Sequence, residues 1–327
     1  MKPWGRLEWL LRWYPERRWN LIGGLSFESR STAVFTRCAE LRLDLSRVCG
    51  VVVRDPESDV TDQIVSQTEA SKISVLRLHP AMQIIEGDLM APPTHWDAIV
   101  ENICDEGNAS VVLDLTSLPK RVGLFLMKRL VGSNHVKDLM VCNTSPVSYR
   151  EGSLANNRLP ATALPGFGME GAPSTPSSVV VSVGFAAVDL GQIVRSASAQ
   201  NISFLMPFPP ASPSFRRSWK VLHSLTEDFE IAEPKIVRIS GNDLFQVLNW
   251  LAGNQIEGQS MTMLPFGPKS HSAAMALTQL RNPKQTELVY PQPQRYHPRY
   301  SAGIQLDHSG IPTIHAYGLR RDGVSVV

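Results

Sequence analysis

A chain of 327 residues exceeds what one hydrophobic core usually serves and predicts about two domains. With 43% hydrophobic and 19% charged residues it is globular, which excludes the disordered and fibrous classes. The net charge is +2, yet the first twenty residues hold five cations (Lys2, Arg6, Arg12, Arg17, Arg18) against two carboxylates (Glu8, Glu16); the remaining body is slightly acidic, which excludes a broad duplex-binding face.

Residues 3 to 14 predict a short helix, with Trp4, Leu7, Leu10, Leu11 and Tyr14 at helical spacing and Arg6, Glu8 and Arg12 between them. Four of the seven tryptophans (Trp4, Trp9, Trp13, Trp19) fall in the first twenty residues. Residues 1–18 thus read as an amphipathic arm that either packs across its own domain or docks a protein partner or a membrane surface. From 19 to 150 strands at 19–26, 49–54, 73–79, 109–116 and 137–143 alternate with helices near 28–41, 60–71, 94–106 and 119–131. The strands are continuous Val/Ile/Leu runs, as expected of a parallel sheet covered on both faces.

Residues 151–177 are dense in Gly, Pro and Asn and predict a linker. A second unit follows over 178–300, with strands at 178–185, 201–206, 235–240, 260–264 and 286–291 and helices near 187–198, 213–227, 243–253 and 269–280. Residues 301–327 predict a hairpin turning at His308-Ser309-Gly310 and covering a sheet edge. The second unit repeats the plan of the first. The runs 20–27, 74–79 and 111–120 find partners in 179–185, 235–240 and 261–269, in the same order. Such self-similarity predicts an α/β protein of two tandem Rossmann-like domains with mostly parallel sheets, related by internal duplication.

Cys38, Cys49, Cys104 and Cys142 lack any Cys-x-x-Cys or Cys/His spacing, and no secretory leader is evident, which predicts buried free thiols, no metal site and a cytoplasmic location. No apolar run approaches the roughly 20 residues of a membrane span. The loop after the first strand lacks Gly-x-Gly-x-x-Gly, and no P-loop is present anywhere in the chain, so no dinucleotide or other resident cofactor is expected.

Ligands of doubly wound sheets bind at the carboxyl ends of the strands. That rule selects Gly23–Arg30, with Ser26, Glu28 and Arg30, after the first strand. It also selects Asp114–Arg121, where Thr116, Ser117, Lys120 and Arg121 surround a helix start whose N–H groups suit a phosphate or carboxylate. The alternative is an ordinary cap by Thr116 or Ser117 with solvated cations. The corresponding loop of the second unit repeats the Pro-Lys pair and offers Gly267, Lys269, Ser270, His271 and Ser272. His271 there is a structural or binding residue, or else an acid–base group. Arg295, Tyr296 and Tyr300 lie in a Tyr/Arg-rich stretch after the last strand, suited to stacking on a base and pairing with a phosphate or to packing on a neighbouring domain.

A polar loop after strand one together with a Thr/Ser-rich loop carrying Lys just before the helix after strand four resembles the CRISPR-associated Rossmann-fold sensor domains, at Ser26 to Arg30 and Thr116 to Arg121. That resemblance implies cyclic oligoadenylate binding across a pair of such domains. With Phe208-Pro209-Pro210 and the Gly-Pro-Lys loop, the chain also resembles uncharacterised bacterial proteins of phage-defence loci, which implies a role in antiviral defence. The leading expectation is therefore a binding or sensor protein holding a small phosphate-bearing ligand between its two units. The alternatives are a phosphodiesterase or other hydrolase, with Glu28 or His271 as acid–base groups, and a structural subunit docked through residues 1–18.

Overall fold

The computed structural model describes residues 3–14, 16–104, 107–171, 178–185, 201–208, 218–220, 222–223 and 235–326. The expected helix near 187–198, most of that near 213–227, and Pro209 and Pro210 lie outside them. The chain is a mixed α/β protein with mostly parallel sheets, divided into two compact units. The first comprises Met1–Asn156 and Gln294–Val327, the second Asn157–Pro293.

In the first unit β1 (Trp4–Arg6) and α1 (Leu7–Leu11) precede β2 (Trp19–Gly24) and α2 (Ala33–Glu40). Then come β3 (Leu45–Arg54), α3 (Thr61–Leu78), β4 (Gln83–Asp88), α4 (Pro93–Cys104), β5 (Ala109–Asp114), α5 (Lys120–Gly132), β6 (Val136–Thr144) and β7 (Ser148–Tyr149). Strands β4-β3-β2-β5-β6 lie side by side in that order and are mutually parallel. Every residue of β2 and β5 is buried, as expected of central strands covered on both faces. The order reverses between β2 and β5, and α2 packs on α3 while α4 packs on α5.

β8 (Ala155–Arg158) carries the chain into the second unit, which holds β9 (Thr162–Ala163), β10 (Ser178–Ser182), β11 (Asn201–Phe208), β12 (Lys235–Ser240), α6 (Leu244–Asn254), β13 (Met261–Pro265), α7 (Lys269–Arg281) and β14 (Thr286–Tyr290). Its parallel strands run β12-β11-β10-β13-β14, and β9 closes the edge antiparallel to β14. Nearly all of α7 is buried, and its Ser270, Ser272, Ala273, Ala274 and Ala276 are small enough for the helix to lie close to its sheet. After β15 (Pro293–Tyr296), the strands β16 (Ser301–Ala302), β17 (Ile314–Arg321) and β18 (Val324–Ser325) return to the first unit.

Four expectations are corrected. Residues 73–79, read as a strand, are the last turns of α3, because Ile64, Thr68 and Val75 follow helical spacing inward while Ile73 and Leu78 are exposed; the third strand is β4. The arm begins as a strand, and only Leu7–Leu11 is helical. The described part of 151–177 is not a free linker: Leu164 and Phe167 are buried, and their backbones bond Leu288, so Gly and Pro break the regular elements there without removing the apolar anchors. The C-terminal residues do turn back at 308–310, where Leu306 bridges Pro312 and the Thr313 N–H donates to the Gln305 carbonyl, but they extend the first sheet rather than cover its edge. β17 lies between β1 and β6, antiparallel to both, and Arg320 fixes it by donating to the carbonyls of Val131 and Ser133 at the end of α5 and of Val136 at the start of β6.

The four cysteines are buried free thiols. Burial pushes those of Cys38 and Cys49 up to about 12 and that of Cys142 well above its usual value. Among the described residues no helix is long and apolar enough to cross a membrane, and no three His, Cys, Asp or Glu side chains gather as a metal site.

Candidate functional site

At the carboxyl edge of the first sheet, the loop after β2 brings Glu28 and Arg30 inside the protein. The Ser26 hydroxyl accepts from the Glu28 N–H, and the Ser26 carbonyl accepts from the hydroxyls of Ser31 and Ser71, which shapes the turn. Arg30 donates through Nε and Nη2 to Glu28 Oε2, each at 2.9 Å, and through Nη1 to the Thr144 carbonyl at 3.0 Å. Ser301 donates its hydroxyl to the same Glu28 oxygen. Burial opposes the charge on Arg30, but Glu28, Tyr149 and Tyr300 outweigh it and hold its pKa above the ordinary value. The guanidinium also lies 5.7 Å from the Tyr149 ring, which meets Tyr300 edge-on, as Tyr300 meets Tyr296. This constellation clamps β16 onto β7 and uses the donors of Arg30 internally.

The neighbouring loop starts from buried Asp114. Its Oδ1 accepts from the Thr116 N–H at 2.9 Å and from the Thr116 hydroxyl, whose oxygen accepts from the Thr144 N–H. Ser117 donates to the Gly24 carbonyl at 2.8 Å, and a Cβ on Gly24 would stand 2.7 Å from the Ser117 hydroxyl. The crevice between β2 and β5 is thus closed at this point by its own loops. Beyond it α5 begins: Pro119 is its N-cap, no side chain caps it, and Lys120 and Arg121 occupy the first turn, half-buried. Burial lowers the pKa of Arg121, and no carboxylate among the described residues opposes that effect.

The second unit also has a helix that starts with Pro-Lys. α7 starts at Lys269 after Pro268, again with no side-chain cap. Gly267 does not open the backbone to a ligand, since a Cβ there would fall 1.9 Å from the Ser182 hydroxyl; packing against β10 is what requires glycine. His271 is fully buried. Its Nε2 contacts the Ser240 carbonyl at 2.9 Å, which requires the proton on Nε2, so Nδ1 accepts from Ser182 at 2.9 Å. Ser270 donates to the Gly241 carbonyl and Ser272 to that of Pro268. These three side chains hold the loop together, and Glu28 and His271 are both engaged away from any open surface.

Arg295, Tyr296 and Tyr300 lie on a strap over the carboxyl edge of the first unit. The Tyr296 N–H donates to Asp55 Oδ2 at 2.8 Å, so Asp55, at the end of β3, anchors it. Asp55, Thr144 and Ser301 were not among the expected site residues; only pairing distant in sequence reveals them. Burial raises the Asp55 pKa from 3.8 to about 6, against the Tyr296 N–H and Arg295. Because the folded pKa is the higher one, its contribution to stability is complete below about pH 4 and is lost as pH rises through about 6. Asp55→Asn is therefore expected to stabilise the first unit by about 1–2 kcal/mol at pH 8 and to make little difference at pH 4. Urea midpoints at the two pH values check this.

No protein-family model matches the chain, and no curated protein matches it. One solved structure, a functionally unknown protein from Pseudomonas aeruginosa PAO1, is 9% identical, with alignment over 84% of this chain and 92% of that one. Its TM-score is 0.24, too low to bear on fold or function.

Proposed function

We propose that the protein binds, and senses, a nucleotide-like or other phosphate-bearing ligand at the start of α5, and that its units are Rossmann-like copies arising by duplication. The duplication is supported by the parallel orders β4-β3-β2-β5-β6 and β12-β11-β10-β13-β14 and by a Pro-Lys helix start after β5 and after β13. Arg121 carries the ligand reading. It is a partly desolvated guanidinium that meets no carboxylate among the described residues, in the first turn of a thirteen-residue helix lacking a side-chain cap. The helix dipole and two adjacent cations suit a phosphate. The half-buried rings of Tyr296 and Tyr300, at the same edge of the sheet, supply stacking faces.

Titration calorimetry with inorganic pyrophosphate, ATP and cyclic tetra-adenylate tests the reading. Binding of at least one, weakened about ten- to a hundredfold in Arg121→Ala and in the same direction in Lys120→Ala, is the expected result. Lys269→Ala reports on the second unit. Absence of binding by all three overturns the proposal. One observation favours a structural subunit instead: the crevices between β2 and β5 and between β10 and β13 are filled by their own loops, and that reading expects Arg121→Ala to change nothing. The hydrolase reading has less support, because Glu28 and His271 are consumed by internal hydrogen bonds.

A further inference from the structure

The N-terminal segment has already placed Leu7, Leu10 and Tyr14 in the core, yet it leaves Trp4, Trp9 and Trp13 exposed by 41%, 59% and 56%. Large aromatics left this open near one another mark an interaction surface more often than an ordinary one. The cations of the segment are mostly neutralised. Arg6 pairs with Glu8 and Asp307, Arg17 with Asp138 and Asp322, and Arg18 lies 3.6 Å from Asp44. Arg12, exposed and between Trp9 and Trp13 in sequence, makes no ion pair among the described residues.

The backbone beside these rings is open too. Among the described residues β1 ends its sheet, pairing only with β17. The Gly318 N–H donates to the Pro3 carbonyl at 2.9 Å, so Trp4 opposite Tyr317 is a non-hydrogen-bonded pair. By alternation the N–H groups of Trp4 and Arg6 turn outward to the free edge. Trp4 stacks on Tyr317 on one face of the strand, with centroids 6.4 Å apart. On the other face, a Cβ on Gly5 would lie 3.4 Å from Trp9 Cε3, so that indole rests against the strand. Indoles thus flank an unpaired strand edge on both sides, and Arg12 follows Trp9 by three residues in sequence.

We propose that this face docks an extended segment of a partner protein, apolar at alternate positions and carrying a carboxylate for Arg12. An extended backbone can add to the open edge of β1 while its side chains meet the indoles. Tryptophan and arginine are the residues that dominate protein interfaces energetically. A lipid surface fits less well, because α1 is only five residues long and one uncompensated cation adds little attraction to an anionic leaflet. A second copy would bring another Arg12 to the same patch.

Selection of a displayed random-peptide library against the full chain, with the Trp9→Ala/Trp13→Ala variant as counter-selection, tests this. Enriched peptides should alternate apolar residues and contain Asp or Glu. Their synthetic versions should shift tryptophan emission to the blue and bind at least tenfold more weakly to the double variant. Arg12→Glu should abolish that binding and restore it for peptides whose carboxylates are replaced by lysine, with circular dichroism unchanged. Failure to enrich any peptide, or indifference of the enriched peptides to Arg12→Glu, overturns the proposal. Tryptophan-dependent flotation with phosphatidylglycerol vesicles, or a tryptophan-dependent dimer in sedimentation, assigns the face to a lipid or to a second copy and overturns it equally.

Discussion

Gly184→Ala is expected to destabilise the second unit by more than about 3 kcal/mol, lowering its melting transition by roughly 10 °C or more. A Cβ at this position would fall 2.0 Å from the Phe266 carbonyl oxygen and 2.7 Å from its carbonyl carbon. Both are backbone atoms of the residue that follows β13, so neither can rotate away as a side-chain tip would. Relief requires the loops after β10 and β13 to separate, which would also disturb the Ser182 to His271 hydrogen bond one turn away. Gly253→Ala in α6 is the control. A Cβ there meets nothing within 4 Å, so removing a helical glycine should be neutral or stabilise by up to about 1 kcal/mol. Calorimetry of both variants decides; an unchanged transition in Gly184→Ala would mean that the two loops do not pack in this way.

Arg30→Met should cost the first unit about 3–5 kcal/mol, because it leaves the Glu28 carboxylate buried without its counter-charge, with the Ser301 hydroxyl still donating to Oε2. The Thr144 carbonyl loses its donor in the same change. Replacing both partners, as in Glu28→Gln/Arg30→Met, should recover much of that loss, since no uncompensated charge stays inside. Arg30→Lys should rescue poorly, because one ammonium cannot reproduce a fork that meets Glu28 through two nitrogens and Thr144 through a third. Urea denaturation supplies the energies, and hydrogen exchange at Ser301 and Ala302 reports whether the strap loosens with the ion pair. Equal stabilities of Arg30→Met and wild type would return this pair to a surface role.

The legible parts of this fold were those where local pattern and tertiary environment agree. β2, β5, β6, β10 and β13 are continuous apolar runs because both their faces are covered, and such runs mark central parallel strands by composition alone. The starts of α5 and α7 were legible because proline followed by lysine marks a helix N-terminus by local stereochemistry. Residues 73–79 misled because Ile73, Val75, Leu76 and Leu78 fit a short strand as well as an amphipathic turn, and only the pairing of β4 with β3 decides between them. β4 itself is an edge strand with partial burial, so its apolar signal is diluted.

For the candidate site the division is sharper. Residue types, spacing and placement at strand ends were available from the chain alone, since each is a property of a few consecutive residues: Ser26 to Arg30, Thr116 to Arg121 and Gly267 to Ser272. Tertiary structure alone decided which of these side chains have spent their hydrogen bonds. Glu28 meets Ser301, Arg30 meets Thr144 and His271 meets Ser182 across 273, 114 and 89 positions of sequence, and no local pattern encodes partners that far apart. Burial makes those pairings obligatory, because a charged or polar group removed from water must find a partner wherever the fold supplies one. The same rule draws attention to Arg121, half-buried and meeting no carboxylate among the described residues.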